Sequence, residues 1–127
     1  MAFPDEYLIN HSSSEEYFLF DIAEWPSILT IAMCFGWKPL MKPYILYTEF
    51  EDREQIVKEE DAFNLAYALM RAVKLLPNEE IIDPDPLNSF EYRDKKLEAI
   101  YYWSGKSQKD IIKRFIQFCM TGEFNII

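Results

Sequence analysis

The side chains that could do chemistry in this chain are mostly carboxylates. Glu49-x-Glu51-Asp52 and Asp83-x-Asp85 are the densest groups, and oxygen clusters of this kind bind hard divalent cations weakly. Neither follows the EF-hand spacing, and a solvated acidic loop explains both. Acid–base work by two carboxylates needs a pocket that drives their pKa values apart, which spacing alone does not reveal. The single histidine, His11, opens the polar run His11-Ser12-Ser13-Ser14-Glu15-Glu16. That run offers no third group to orient a catalytic base. Cys34 and Cys119 stand apart without zinc spacing. Each falls in an apolar helical segment, where free cysteine is usually buried. With only 3 glycines, no phosphate loop, dinucleotide fingerprint or nucleophile elbow is present. The residue types therefore nominate no catalytic residue, no metal ligand and no cofactor.

Any site must be positioned by a single domain, because 127 residues is the length of one core. Half of the residues are hydrophobic and 17% are aromatic, which excludes a disordered chain and implies a ring-rich interior. Residues 1–16 read as an N-terminal arm and residues 17–127 as a mainly α domain of about four helices. Two short strands are expected, near 17–20 and 44–48. The first helix starts around Pro26 and places Ile28, Leu29, Ala32, Met33 and Phe35 at helical spacing. Gly36 follows where a left-handed cap is expected, and Trp37-Lys38-Pro39 cannot continue the helix. The second helix spans about 59–76, with Ala62, Leu65, Ala66, Leu69, Ala72, Val73 and Leu76 on one stripe. Glu59, Glu60 and Asp61 at its start and Arg71 and Lys74 near its end suit the helix dipole. Residues 77–89 form a turn-rich crossover. A third helix over about 90–103 should bury Leu97, Ile100, Tyr101 and Phe90, and Ser104-Gly105 stops it. Ser107 then caps a fourth helix, with Asp110 in capping-box position. That helix runs to about Met120 and buries Ile111, Ile112, Phe115, Ile116, Phe118 and Cys119. Gly122 ends it, and the tail Phe124, Ile126, Ile127 should dock on the core or pair as a strand.

Three segments stand out together: Trp25-x3-Leu29-x2-Ala32-x3-Gly36-Trp37-x-Pro39, then Asp61-Ala62-x2-Leu65-Ala66-x-Ala68-Leu69, then Phe115-x2-Phe118-Cys119-x2-Gly122-x-Phe124-x-Ile126. In this order they resemble a family of small uncharacterised bacterial proteins whose pattern spans nearly the whole domain. The chain departs from that pattern at Leu40-Met41, Met120 and Glu123. The resemblance implies a shared fold and carries no activity. The residues themselves read as architecture. Trp25 and Trp37 bracket a helix, Gly36 and Gly122 permit unusual backbone angles, Asp61 charges a helix start, and Phe115 and Phe118 fill a core.

The net charge is −9, from 13 basic and 22 acidic residues. Phosphate backbones are bound through Lys and Arg, so nucleic acid is disfavoured. Rings near Tyr92-Arg93 and over Tyr101–Lys106 could stack single strands, but a helix with half-buried rings accounts for them. The sign varies along the chain. Residues 1–92 are strongly acidic, whereas Arg93, Lys95, Lys96, Lys106, Lys109, Lys113 and Arg114 outnumber Asp94, Glu98 and Asp110. Such runs are usually solvated helix faces. Met1–Asn10 carries Asp5 and Glu6 where a signal peptide would be basic. The longest apolar stretch, 25–37, is broken by Pro26, Ser27 and Thr30 and falls short of the ~20 residues a membrane helix needs. A cytoplasmic setting is the expectation.

Two functional expectations follow. One is a non-enzymatic interaction protein of inhibitor or immunity type. It would offer Glu49, Glu51, Asp52, Glu54, Glu59 and Glu60 to a basic protein partner, since complementary charge aids encounter and specificity. Self-association into a homo-oligomer is compatible with it. The other is a small-molecule-binding domain, or a carboxylate-dependent enzyme, with an aromatic pocket near Trp25, Trp37 and Tyr44.

Overall fold

The computed structural model describes residues 6–11, 16–21, 24–38, 55–81 and 95–126. Strand β1 (Glu6–His11) turns back into β2 (Tyr17–Asp21), which leads to helix α1 (Glu24–Cys34). Strand β3 (Gln55–Val57) precedes α2 (Glu59–Leu75), and α3 (Lys95–Trp103) leads through Ser104-Gly105 to α4 (Lys106–Met120) and β4 (Phe124–Ile126). The described residues form one compact, mainly helical domain with four helices and a small sheet. The strands lie in the order β2-β1-β4-β3 and pair antiparallel throughout.

The segment read as an arm is therefore partly structural, because Glu6–His11 lies inside the sheet between β2 and β4. Its alternation is short and ends on a polar residue. Ile9 and His11 are buried, while Leu8 and Asn10 are only half-buried, as period-2 geometry requires. The strand expected near 17–20 is β2. The one expected at 44–48 lies outside the described residues, as do Pro39 and Phe90.

Helix α1 begins with a reciprocal cap absent from the sequence reading. The Glu24 amide donates to Asp21 Oδ1 at 2.7 Å, and the Asp21 amide to Glu24 Oε1 at 3.0 Å. It ends as Gly36 anticipates. Gly36 holds φ +102°; its amide donates to Met33 O and the Trp37 amide to Ala32 O. This is the two-bond pattern of a Schellman cap. Arg71, on α2, donates from Nε to Phe35 O at 2.8 Å, so α2 helps to close the end of α1.

Helix α2 buries Ala62, Leu65, Ala66, Ala68, Leu69 and Ala72. This small-residue face packs most extensively on α4, which buries Ile112, Phe115, Ile116, Phe118 and Cys119. Two details of the sequence reading change. Helix α4 starts one residue before Ser107. Its N-cap is Gly105, at φ +94° and without a side-chain cap; the Gly105 amide instead donates to Pro77 O. On α3 the buried residues are Ala99 and Trp103, while Leu97 is 43% exposed, because α3 meets α1 through the stripe ending at Trp103.

The three sequence segments meet in space. Trp37 Nε1 donates to Asp61 Oδ1 at 3.1 Å, joining the first segment to the second. Trp25 meets Phe115 edge-on at 5.8 Å, joining the first to the third. A side chain placed on Gly122 would press on the Glu59 carboxylate at 3.3 Å. Asp61 is 1% exposed and stands in the first turn of α2, where negative charge is favoured. Removing the indole donor by Trp37→Phe leaves that carboxylate oxygen one bond short. It should cost roughly 1–3 kcal/mol. A double-mutant cycle with Asp61→Ala, read by chemical denaturation, should return a coupling of at least ~0.5 kcal/mol. Additive losses would mean the contact adds nothing.

Helices α1 and α3 are tied by polar contacts at their surface. Tyr102 Oη donates to Glu24 Oε2 at 2.8 Å, and Trp103 Nε1 to Ser27 Oγ at 3.0 Å. Partial burial, reinforced by the bond to Glu24, pushes the Tyr102 phenol up from 10.0 to about 12. The neutral phenol is thus favoured in the folded state. Its contribution is complete below the unfolded value and is lost as pH rises from 10.0 towards about 12. We expect the denaturation midpoint of the wild type to fall more steeply across that window than that of Tyr102→Phe. The comparison separates the phenol from Cys119, whose thiol is also pushed up by burial. Parallel curves would remove Tyr102 as a source of alkaline lability.

Candidate functional site

An open cleft of about 650 Å³ lies between the start of β2 and the outer face of α4, lined by Glu16, Tyr17, Phe18, Arg114, Gln117, Phe118 and Thr121. Its α4 wall follows from helical spacing. Arg114, Gln117 and Thr121 stand at i, i+3 and i+7 and share a stripe, and Phe118 is the next position inward. Its β2 wall is a sheet edge among the described residues, where β2 pairs with β1 alone. Tyr17 is 63% exposed, whereas Phe18 packs against the core. Phe18 meets Phe118 at 6.0 Å and Phe115 at 5.4 Å, both edge-on. The cleft floor is therefore aromatic and held by the core beneath it.

Behind this floor sits His11, 5% exposed. Its ring stacks on Phe118 with centroids 4.0 Å apart. Nδ1 lies 3.1 Å from Glu123 O; a carbonyl only accepts, so Nδ1 carries a proton and donates. Nε2 is hydrogen-bonded to Thr121 Oγ1, and the same hydroxyl lies 2.6 Å from Phe118 O, so its one proton is shared between the ring nitrogen and that carbonyl. His11 thus ties β1 to the end of α4 and to the residue before β4. The His11–Thr121 contact joins the buried end of β1 to the C-cap of α4 and reads as a structural tie. The histidine assigned from sequence to a polar arm is in fact buried, because it takes an inward position on β1.

The cleft carries charge as well as rings. Arg114 is exposed and makes no ion pair or hydrogen bond among the described residues. Asp110, one turn earlier on α4, is met by Lys113 at 3.8 Å. Glu16 shares the cleft and has a partner of its own.

The aromatic pocket expected near Trp25, Trp37 and Tyr44 takes a different form. Trp25 is fully buried and stacks on Phe20, and Trp37 is 3% exposed, so both indoles are filled into the core. Tyr44 lies outside the described residues. Phe115, Phe118 and Gly122 are likewise buried. Among the acidic candidates, Glu59 and Glu60 are exposed at the start of α2. Glu49, Glu51, Asp52 and Glu54 lie outside the described residues, as do Asp83 and Asp85. Trp103, weighed as a stacking platform, is fully buried. Among the described residues, no group of three or more His, Cys, Asp or Glu could hold a metal ion, and no helix is long and apolar enough to cross a membrane.

Sequence spacing could not have found this cleft, because its two walls are separated by most of the chain. The available signals were indirect: an aromatic run at Tyr17–Phe20 and a basic residue, Arg114, beside Phe115 and Phe118. Comparison with protein-family models, with curated proteins and with solved structures finds no match for this chain.

Proposed function

We propose that the chain is a small-molecule-binding domain whose site is the cleft between β2 and α4. The observation that carries this reading is an aromatic floor under an exposed cleft of ligand-sized volume. Ligand sites are typically concave, of ~300–1,000 Å³, mostly apolar and marked by few polar groups. Here the polar groups converge from one helix stripe, Arg114, Gln117 and Thr121. The floor is packed on core rings, Phe18 against Phe115 and Phe118, and a preformed surface limits the ordering cost of binding. Titration of the ¹⁵N-labelled protein with small aromatic fragments should shift amide resonances at Glu16–Phe18 and Arg114–Thr121 together. Shifts confined to other surfaces, or none at millimolar fragment, would remove this reading.

A second reading keeps the basic protein partner. It is supported by Glu59 and Glu60, exposed side by side at the start of α2, in continuation of the acidic run at 49–54. Rim charges act mainly on association rate. Substituting Glu59→Gln and Glu60→Gln should therefore slow capture of such a partner and flatten its salt dependence. An unchanged rate would count against this surface.

A further inference from the structure

Resting on the cleft reading, we infer that the ligand class is a planar aromatic carboxylate, with its ring on the Phe18–Phe118 floor and its anionic group on Arg114. Two independent features of the cleft select this class. The floor presents aromatic rings rather than aliphatic groups, the half-buried Phe18 beside the exposed Tyr17 and against the mostly buried Phe118, and rings pair with rings in offset or edge-on geometry. The wall presents a guanidinium that is exposed and without a partner among the described residues. Arg114 belongs to the segment in which basic residues outnumber acids on a chain of net charge −9, so this wall favours an anion. Its planar fork matches a carboxylate in two parallel bonds, which a lysine ammonium does not reproduce. Gln117, one turn along the same stripe, adds an amide that can donate to the same oxygens or accept from a ring substituent.

The geometry also limits the ligand. Glu16 contributes negative charge to the cleft, so a polyanion such as a nucleotide triphosphate is disfavoured relative to a single carboxylate. The openness of the cleft to solvent leaves the carboxylate partly hydrated, so affinity for a minimal ligand should be weak and selectivity should carry the information.

The test compares three probes on the wild type by amide chemical-shift titration: benzoate, benzamide and acetate. Benzoate should bind at the cleft more tightly than its neutral isostere, benzamide, and more tightly than acetate. Charge-assisted bonds to one group are worth about tenfold in affinity. Arg114→Gln should therefore weaken benzoate about tenfold while leaving benzamide within twofold. Arg114→Lys should fall between the two, because charge is kept and the fork is lost. If benzamide binds as well as benzoate to the wild type, the carboxylate assignment is wrong and the cleft reading survives. If acetate matches benzoate, Arg114 is a bare anion site and the ring assignment is wrong. If neither ring compound perturbs the cleft, both this inference and the reading beneath it are overturned. Arg114 is exposed, so its variants should fold, and wild-type-like amide spectra for them check this directly.

Discussion

Phe115→Ala should be the most damaging single truncation in this protein, lowering stability by ~3–5 kcal/mol. Phe115 is fully buried on α4. Its ring lies 5.1 Å from Phe20, 5.4 Å from Phe18, 5.8 Å from Trp25, 5.9 Å from Phe118 and 6.1 Å from Phe124. Those partners come from β2, α1, α4 itself and β4. The ring is thus where the sheet, the first helix and the last helix share one interior. Removing it deletes the transfer energy of a phenyl group and leaves a cavity that five aromatic neighbours, each locked by the others, can close only in part. Two edge-on pairs to β2 are lost together, so the edge strand that forms one wall of the cleft should loosen as well. Denaturant titration followed by circular dichroism should show an earlier midpoint. Should Phe115→Ala fail to fold, Phe115→Leu gives a graded reading, with a loss of ~1–2 kcal/mol. A loss below ~1 kcal/mol for the alanine variant would mean that this ring cluster is not the core.

The helices were legible because their signals are local. The stripe Ala62, Leu65, Ala66, Leu69 and Ala72 repeats at helical spacing over about three turns. Nothing else explains that repeat, and α2 lies within one residue of its expected bounds. Gly36 was readable for the same reason, since a left-handed cap has few alternative residues. What failed were readings that treat polarity as a proxy for exposure. His11 and Lys109 look solvated in one dimension, and both are buried because a fixed acceptor waits for each: the Glu123 carbonyl for His11, the Leu76 carbonyl for Lys109. Such acceptors are created by chain ends and turns that only the fold brings close. The cleft was illegible for a related reason. Tyr17 and Phe18 acquire meaning only when β2 is laid beside α4, and that adjacency follows from β4 entering the sheet between β1 and β3. Trp25 and Trp37, read from sequence as architecture, are buried in the core, so close packing uses the rings that the alternative reading assigned to a pocket.

Lys109 offers the second large effect. It belongs to a basic run that sequence alone assigns to solvated helix faces, yet it is 6% exposed. Its Nζ donates to Leu76 O at 2.8 Å and to Asn78 Oδ1 at 2.7 Å. Leu76 is the C-cap of α2, so the ammonium sits where the helix dipole favours positive charge and satisfies a carbonyl that the helix itself leaves open. The surrounding turn is fastened by the same junction: the Gly105 amide donates to Pro77 O and the Ile81 amide to Ser104 Oγ. Lys109→Ala would leave the buried Leu76 carbonyl without this donor, while the exposed Asn78 amide can turn to water, and should cost ~1–3 kcal/mol. Lys109→Met separates the causes, because it retains the stem and discards the charge. Burying an ammonium carries a desolvation cost of its own, which the methionine variant escapes. If the hydrogen bonds outweigh that cost, Lys109→Met should remain destabilised by at least ~1 kcal/mol. Amide exchange should then accelerate selectively at Gly105 and Ile81, whose donors face the released turn. A methionine variant as stable as the wild type, with exchange unchanged at those two amides, would mean that the ammonium merely tolerates its position and that packing alone fixes the end of α2.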